Sequence, residues 1–216
     1  MGDLIIKPAS SGSLKIQDQA GTNFITTGTS SGLTLDSGVT FPTGHILQVQ
    51  HKIKDDEFST QSTSFVDVTG LSVGITPKFN SSKILIDVRL SMVNSFYVAH
   101  GRLMRDSTEI GLASNVEADG TTHTRSRHLL DVTVEDTLGE HNGVMGKPTC
   151  FLLDSPTIPS TPIEITYKVQ VAARFDGASS STTYVNRTVR DRELPTETPT
   201  YDHRSISTIA VMEIAQ

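Results

Sequence analysis

The stretch from Ser82 to Val93, SKILIDVRLSMV, most constrains what this chain can become. Ile84, Ile86, Val88, Leu90 and Met92 occupy every second position, with Lys83, Asp87, Arg89 and Ser91 between them. An extended strand with that pattern has one dry side and one wet side, so the span reads as a single core strand. A second run has the same period: Ile163, Ile165, Tyr167, Val169 and Val171 alternate with Glu164, Thr166, Lys168 and Gln170. Two such strands imply two facing sheets. The last run, Ile206 to Ile214, sets Ile206, Met212 and Ile214 on one side and Ile209 and Val211 on the other, which predicts a strand covered on both faces.

No stretch carries a sustained helical period with caps. Heavy use of Ser, Thr, Gly and Val, with 6% aromatic residues and no Trp, is the vocabulary of β structure with many turns. Roughly eight main strands separated by long polar loops, such as Asn115 to Arg127, predict an all-β sandwich or jelly roll. The formal net charge of −6 argues against nucleic acid or an anionic membrane as partner, because both demand clustered positive charge. Cys150 is the single cysteine, which excludes a disulfide framework within the chain, and it reads as a small core residue. No apolar run is long enough for a membrane span, and the start MGDLIIKPASSG lacks the basic, apolar pattern of a secretion signal, so folding in a cytoplasm is expected.

Residues 1–44 differ in texture from residues 45–216. Seven of the sixteen glycines fall there, between short apolar pairs that recur about every ten residues. Leu4, Ile6, Leu14, Ile16, Phe24, Leu33, Leu35, Val39 and Phe41 are the apolar side chains of this thin Gly-rich ribbon. They are too few to offset the entropy of ordering so many residues unaided, so the ribbon is expected to be completed by sister chains or a docking surface, with a disordered Gly/Ser tail as the alternative. The boundary falls near Pro42 to Gly44. Beyond it, HILQVQHKI sets Leu47, Val49, His51 and Ile53 on one face and Gln48, Gln50 and Lys52 on the other.

Three segments, TSFVDVTGLSVGITPKFNSSKILIDVRLSM, LDSP followed by ITYKVQ, and the closing ISTIAVMEIA, resemble the small virion fibre and surface proteins of tailed bacteriophages, particularly those of marine hosts. KIQDQAGTNFITTG is similar to the thin repeats by which such fibres are built and attached. The resemblance implies a homotrimeric structural protein of the particle, made in the host cytoplasm. Its N-terminal ribbon would be intertwined in the trimer, and its globular part would be similar to the jelly roll of C1q and tumour-necrosis-factor domains. Partners would be the chain itself, other virion proteins of tail or capsid, and a host surface glycan or protein. The first expectation is a tail fibre or spike attached through its N-terminus. A capsid decoration or head fibre is the alternative, and a glycan-cleaving spike is a third.

Chemical motifs are sparse. None of the seven histidines falls in H-E-x-x-H or a Cys-His array, so the reading is no metal and no cofactor. His51, on an apolar strand face, is the first place to look for a symmetric ring. Asp131, Glu135, Asp136 and Glu140 form an acidic cluster of the kind that cleaves glycans, but they read as a solvated loop, and no nucleophile elbow or phosphate loop is present. The expectation is a protein that is not an enzyme. Tyr184, Arg187, Arg190, Arg192, Tyr201 and His203 combine the residue types that dominate interfaces and are the first candidates for a host-contact surface. Asp191 and Glu193 are expected to cancel the arginines locally. His100, Arg102, His123, Arg125 and Arg127 are a weaker second group.

Overall fold

The computed structural model describes residues 15–17, 19–21, 23–27, 33–35, 41–96, 98–114, 127–133, 145–173, 181–189 and 203–216. Contacts divide the chain into two compact units, Met1–Thr43 and Gly44–Gln216. In the first, β1 (Lys15–Gln17), β2 (Asn23–Thr27) and β3 (Leu33–Leu35) form an antiparallel sheet in that order. Ile16 lies opposite Ile25, and Ile25 opposite Leu35. Apolar positions about ten residues apart thus fall in one cross-strand row, which accounts for the spacing in the sequence.

The second unit is an all-β sandwich, as its alternation predicts. Its strands are β4 (Ile46–Lys54), β5 (Phe58–Thr60), β6 (Val66–Ile75), β7 (Lys83–Arg89), β8 (Met92–Asn94), β9 (Val98–Arg105), β10 (Thr108–Ile110), β11 (Val132–Thr133), β12 (Thr149–Asp154), β13 (Ile165–Ala172), β14 (Thr183–Val185) and β15 (Ser207–Ile214). One sheet has the order β12-β7-β15-β4 and the other β10-β9-β13-β6, while β5-β14-β8 forms a small third. These eight strands of the two large sheets pair first with eighth, second with seventh, third with sixth and fourth with fifth. That is one long antiparallel hairpin rolled up, with β7 joining β15 and β9 joining β13 to complete the sheets. A double-sheet jelly roll has this topology.

Period-2 alternation fixes which side chains are inside. Ile84, Ile86 and Val88 of β7, Ile209 and Val211 of β15, and Ile165, Tyr167, Val169 and Val171 of β13 share one core with Val68, Leu71, Val73 and Ile75 of β6. Cys150 belongs to that core, and burial, with the Asp87 carboxylate nearby, pushes its thiol up to about 11. β6 carries a bulge between its two stretches of pairing with β13, and Gly70 lies there at a φ of 84°, a conformation that favours glycine.

Three expectations are corrected. The strand expected from Ser82 to Val93 breaks at Leu90 and Ser91. Leu90 N–H donates to the Pro148 carbonyl and Ser91 N–H to the Ser207 hydroxyl, so the ladder is handed to side chains and loops. Met92–Asn94 then pairs with β14 in the small sheet. β15 is sealed on its inner face only: Met212 and Ile214 are half-buried and Ile206 is exposed. Ile163 precedes β13 and is exposed rather than continuing its core face.

Candidate interaction surfaces

Tyr184 is the centre of β14, opposite Ser59 of β5 and Val93 of β8. The Arg187 guanidinium lies 4.7 Å from the Tyr184 ring centroid. Arg187 donates to Glu57 Oε2 at 3.3 Å and to the Thr188 and Val189 carbonyls, and Arg204 donates to the same Glu57 oxygen at 2.9 Å. His203 is exposed and held alongside by exchanged hydrogen bonds with Thr188. Tyr184, Arg187 and His203 are therefore brought together, whereas Arg190, Arg192 and Tyr201 lie outside the described residues, as do Asp191 and Glu193. The acid that neutralises Arg187 here is Glu57, 130 positions away, and together with Arg204 it was invisible to local reasoning.

Asn186 positions this corner. It is buried, at a φ of 65°, which Asn adopts more readily than most residues. Its amide donates to the Lys54 and Asp56 carbonyls and accepts from the Ser207 hydroxyl, while its backbone bonds Ser91 and Ser205. The end of β4, the start of β15 and the segment after β7 are thereby tied to one side chain.

Of the second group, His100 and Arg102 lie on β9, in the β10-β9-β13-β6 sheet. Arg102 donates to Gln170 and Glu109 and stacks 4.1 Å from the Phe65 centroid. Glu109 also bonds His128 Nδ1 at 2.6 Å, and His128 meets Phe65 edge-on. Gln170 and Lys168 both donate to Asp67. Burial raises the Asp67 carboxyl, but those two donors outweigh it and hold the group below its ordinary value. His100 faces Asp131 at 3.3 Å, and Asp131 also accepts from Gly101 N–H. Asp131 thus fastens its own loop to β9, while Glu135, Asp136 and Glu140, like His123 and Arg125, lie outside the described residues. Arg127 donates to the Ala113 carbonyl. The polar side chains of this face are spent on one another.

The outer face of the other large sheet is its opposite. Leu153 of β12, Leu85 of β7, Met212 of β15 and Val49 of β4 form one row across all four strands, and Phe151, Asp87, Ala210 and His51 form the next. Phe151 is 73% exposed, Val49 53%, Ile53 51% and Leu153 49%. The apolar face of β4 that includes Val49, His51 and Ile53 points away from the core, while Gln48, Gln50, Lys52 and Lys54 stand opposite the inward positions of β15. Sequence alternation gives the two faces of a strand but not which is inside.

The inner ends of the sheets are joined by an ion pair. Arg105 of β9 makes a two-pronged contact to Asp154 of β12 at 2.7 and 2.9 Å, and Tyr167 of β13 donates to the same carboxylate at 2.7 Å. Burial and the adjacent Asp154 carboxylate keep the phenol protonated far above its ordinary range. Among the described residues no group of three or more His, Cys, Asp or Glu side chains converges as a metal site requires. Of the ribbon residues, Ile16 lies exposed on β1, Phe24 falls in β2, Leu33 and Leu35 in β3, and Phe41 is half-buried. Leu4, Ile6, Leu14 and Val39 lie outside the described residues.

No family model matches the chain, and no curated protein matches it. Solved structures similar to it are virus particles: infectious bursal disease virus of the Gt strain (16% identity, TM-score 0.38, 89% of this chain and 47% of that one) and of the Gx strain (14%, 0.35, 86% and 42%). T=1 particles derived from infectious bursal virus give 15%, 0.34, 86% and 41%. This chain spans less than half the length of those chains. The jelly-roll assignment rests on the strand order above.

Proposed function

We propose that the chain is a structural protein of a virus particle: a homotrimeric tail fibre or spike, attached through residues 1–44, whose sandwich meets the host surface. The observation that carries this reading is the outward apolar face of the β12-β7-β15-β4 sheet. A protein that leaves Phe151, Leu153, Val49 and Ile53 in water, while its opposite face carries paired polar and charged groups, reads as one part of a larger assembly. The sequence resemblance to small phage fibre proteins supplies the kind of assembly. The corner of Tyr184, Arg187 and His203 is the host-facing candidate, on the strength of its aromatic and guanidinium groups. The protein performs no catalysis in this reading.

The test is labelling of intact particles with an antibody against residues 45–216. Label at the tail is expected, and label ringing the shell replaces the fibre with a capsid decoration. Incubation of the purified protein with host surface polysaccharide is expected to release no reducing ends, and release would overturn the non-enzymatic reading.

A further inference from the structure

We infer that the outer face of the β12-β7-β15-β4 sheet is covered by sister copies of this same chain, an inference that rests on the self-assembling reading above. The phase of β4 decides which of its sides faces out. Gln48, Gln50, Lys52 and Lys54 stand opposite Glu213, Val211, Ile209 and Ser207, the inward residues of β15, so the polar side of β4 is the one turned to the core side, with Lys54 buried, Gln48 half-buried and Gln50 and Lys52 reaching solvent at the sheet edge. A slip of one residue would turn Val49 and Ile53 inward instead. The observed phase is pinned by specific bonds: Gln48 donates to Glu213 and to the Thr76 carbonyl, and the buried Lys54 ammonium donates to Asp56. Polar anchoring therefore holds an apolar surface outward, which an isolated sandwich gains nothing by doing.

The occupant follows from charge and size. Charged side chains on this face are Lys83, Asp87 and Arg89, all on β7, and Arg89 bonds Asp87 at 3.4 Å. A phosphate polymer or anionic membrane demands clustered cations, which this face lacks. Symmetry copies bring identical charges toward one another, so a face shared among copies must be nearly neutral, as this one is. Four strands of six to nine residues offer a footprint of about 15 by 25 Å, roughly half of the ~800 Å² that each partner gives to a standard interface, which suits the apolar centre of a contact between copies. The opposite sheet, with Asp67, Lys168, Arg102 and Glu109 on its outer face, is left to solvent.

The test uses the full chain and sedimentation across a dilution series. Wild type is expected to assemble, and the double variant Phe151→Glu, Val49→Glu to need at least about tenfold more protein for the same assembly. Ser72→Glu, on the opposite face, is expected to leave that midpoint unchanged. Oxidative labelling of Phe151 in wild type, which requires no variant to fold, should be slow in the assembled protein and fast after dilution. If wild type assembles while Phe151 labels at the same rate throughout, this face is not the interface and the self-assembly reading survives. If the chain is monomeric at every concentration, both fall. A mass of two copies with Phe151 protected keeps the face and removes the trimer.

Discussion

Glu213 stands at a core position of β15, two residues beyond Val211 on the face sealed by Ile209. Its Oε1 accepts from Lys78 N–H, Phe79 N–H and the Ser82 hydroxyl, and Oε2 accepts from Gln48. A buried carboxylate is tolerated where donors replace its water. Here they come from the turn between β6 and β7, so one side chain fixes that turn against the sheet and sets the phase of β4 through Gln48. Glu213→Ala is expected to cost about 2–4 kcal/mol, since each donor left buried without an acceptor carries ~1–3 kcal/mol and part of the turn reaches water. Glu213→Gln, which keeps one acceptor oxygen, should lose less. Urea unfolding midpoints decide the matter, and an alanine variant as stable as wild type removes Glu213 from its role. An acid in an otherwise apolar phase, Ile209-Val211-Glu213, was the sequence signal for this anchor. Its hydrophobic neighbours on both faces of the strand mask that signal.

At the level of strands, alternation made β7, β13 and β15 and their inner residues legible, because burial of one face leaves a period of two in the sequence. It could not assign the outward face of β4, since both orientations share the same pattern, nor foresee the break at Ser91, whose hydroxyl partners lie in Ser205 and Ser207. The polar face of β6, β13 and β9 was equally hidden: Asp67, Gln170 and Arg102 are distant in sequence and meet only through strand register. This network carries a pH signature. The folded-state carboxyl of Asp67 lies below its ordinary value, so its contribution to stability is complete above the unfolded value of about 3.9 and is lost as pH falls through the folded one. Asp67→Asn should therefore flatten the fall in denaturation midpoint between about pH 4 and pH 2 while changing little of the slope nearer neutrality. An identical acid profile in the variant would show that the bonds from Gln170 and Lys168 give Asp67 no special hold. Because the side chain is 54% exposed, solvent screening keeps the effect small, and matched salt is essential to the comparison.

For the whole molecule, the proposed association through the outward apolar face would make assembly part of stability. A monomer with this apolar strip outward gains nothing from concentration, whereas a trimer that folds as it assembles obeys mass action. If three unfolded chains yield one folded particle, a hundredfold dilution lowers the stability per chain by two thirds of RT ln 100, about 1.8 kcal/mol. For a unit of this size each kcal/mol moves the thermal midpoint by about 2–4 °C, so the midpoint should fall by about 4–7 °C over that dilution. Calorimetry or circular dichroism at two concentrations measures it. A midpoint independent of concentration would mean that the sandwich is complete alone and that its outward leucines, valine and phenylalanine serve something other than assembly. The double variant at Phe151 and Val49 sharpens the result, since the apolar side chains it replaces would leave water only in the proposed assembly. Its midpoint should lose most of the concentration dependence while staying close to that of dilute wild type. Removal of the apolar contact then separates the stability of one sandwich from that of the assembly it joins.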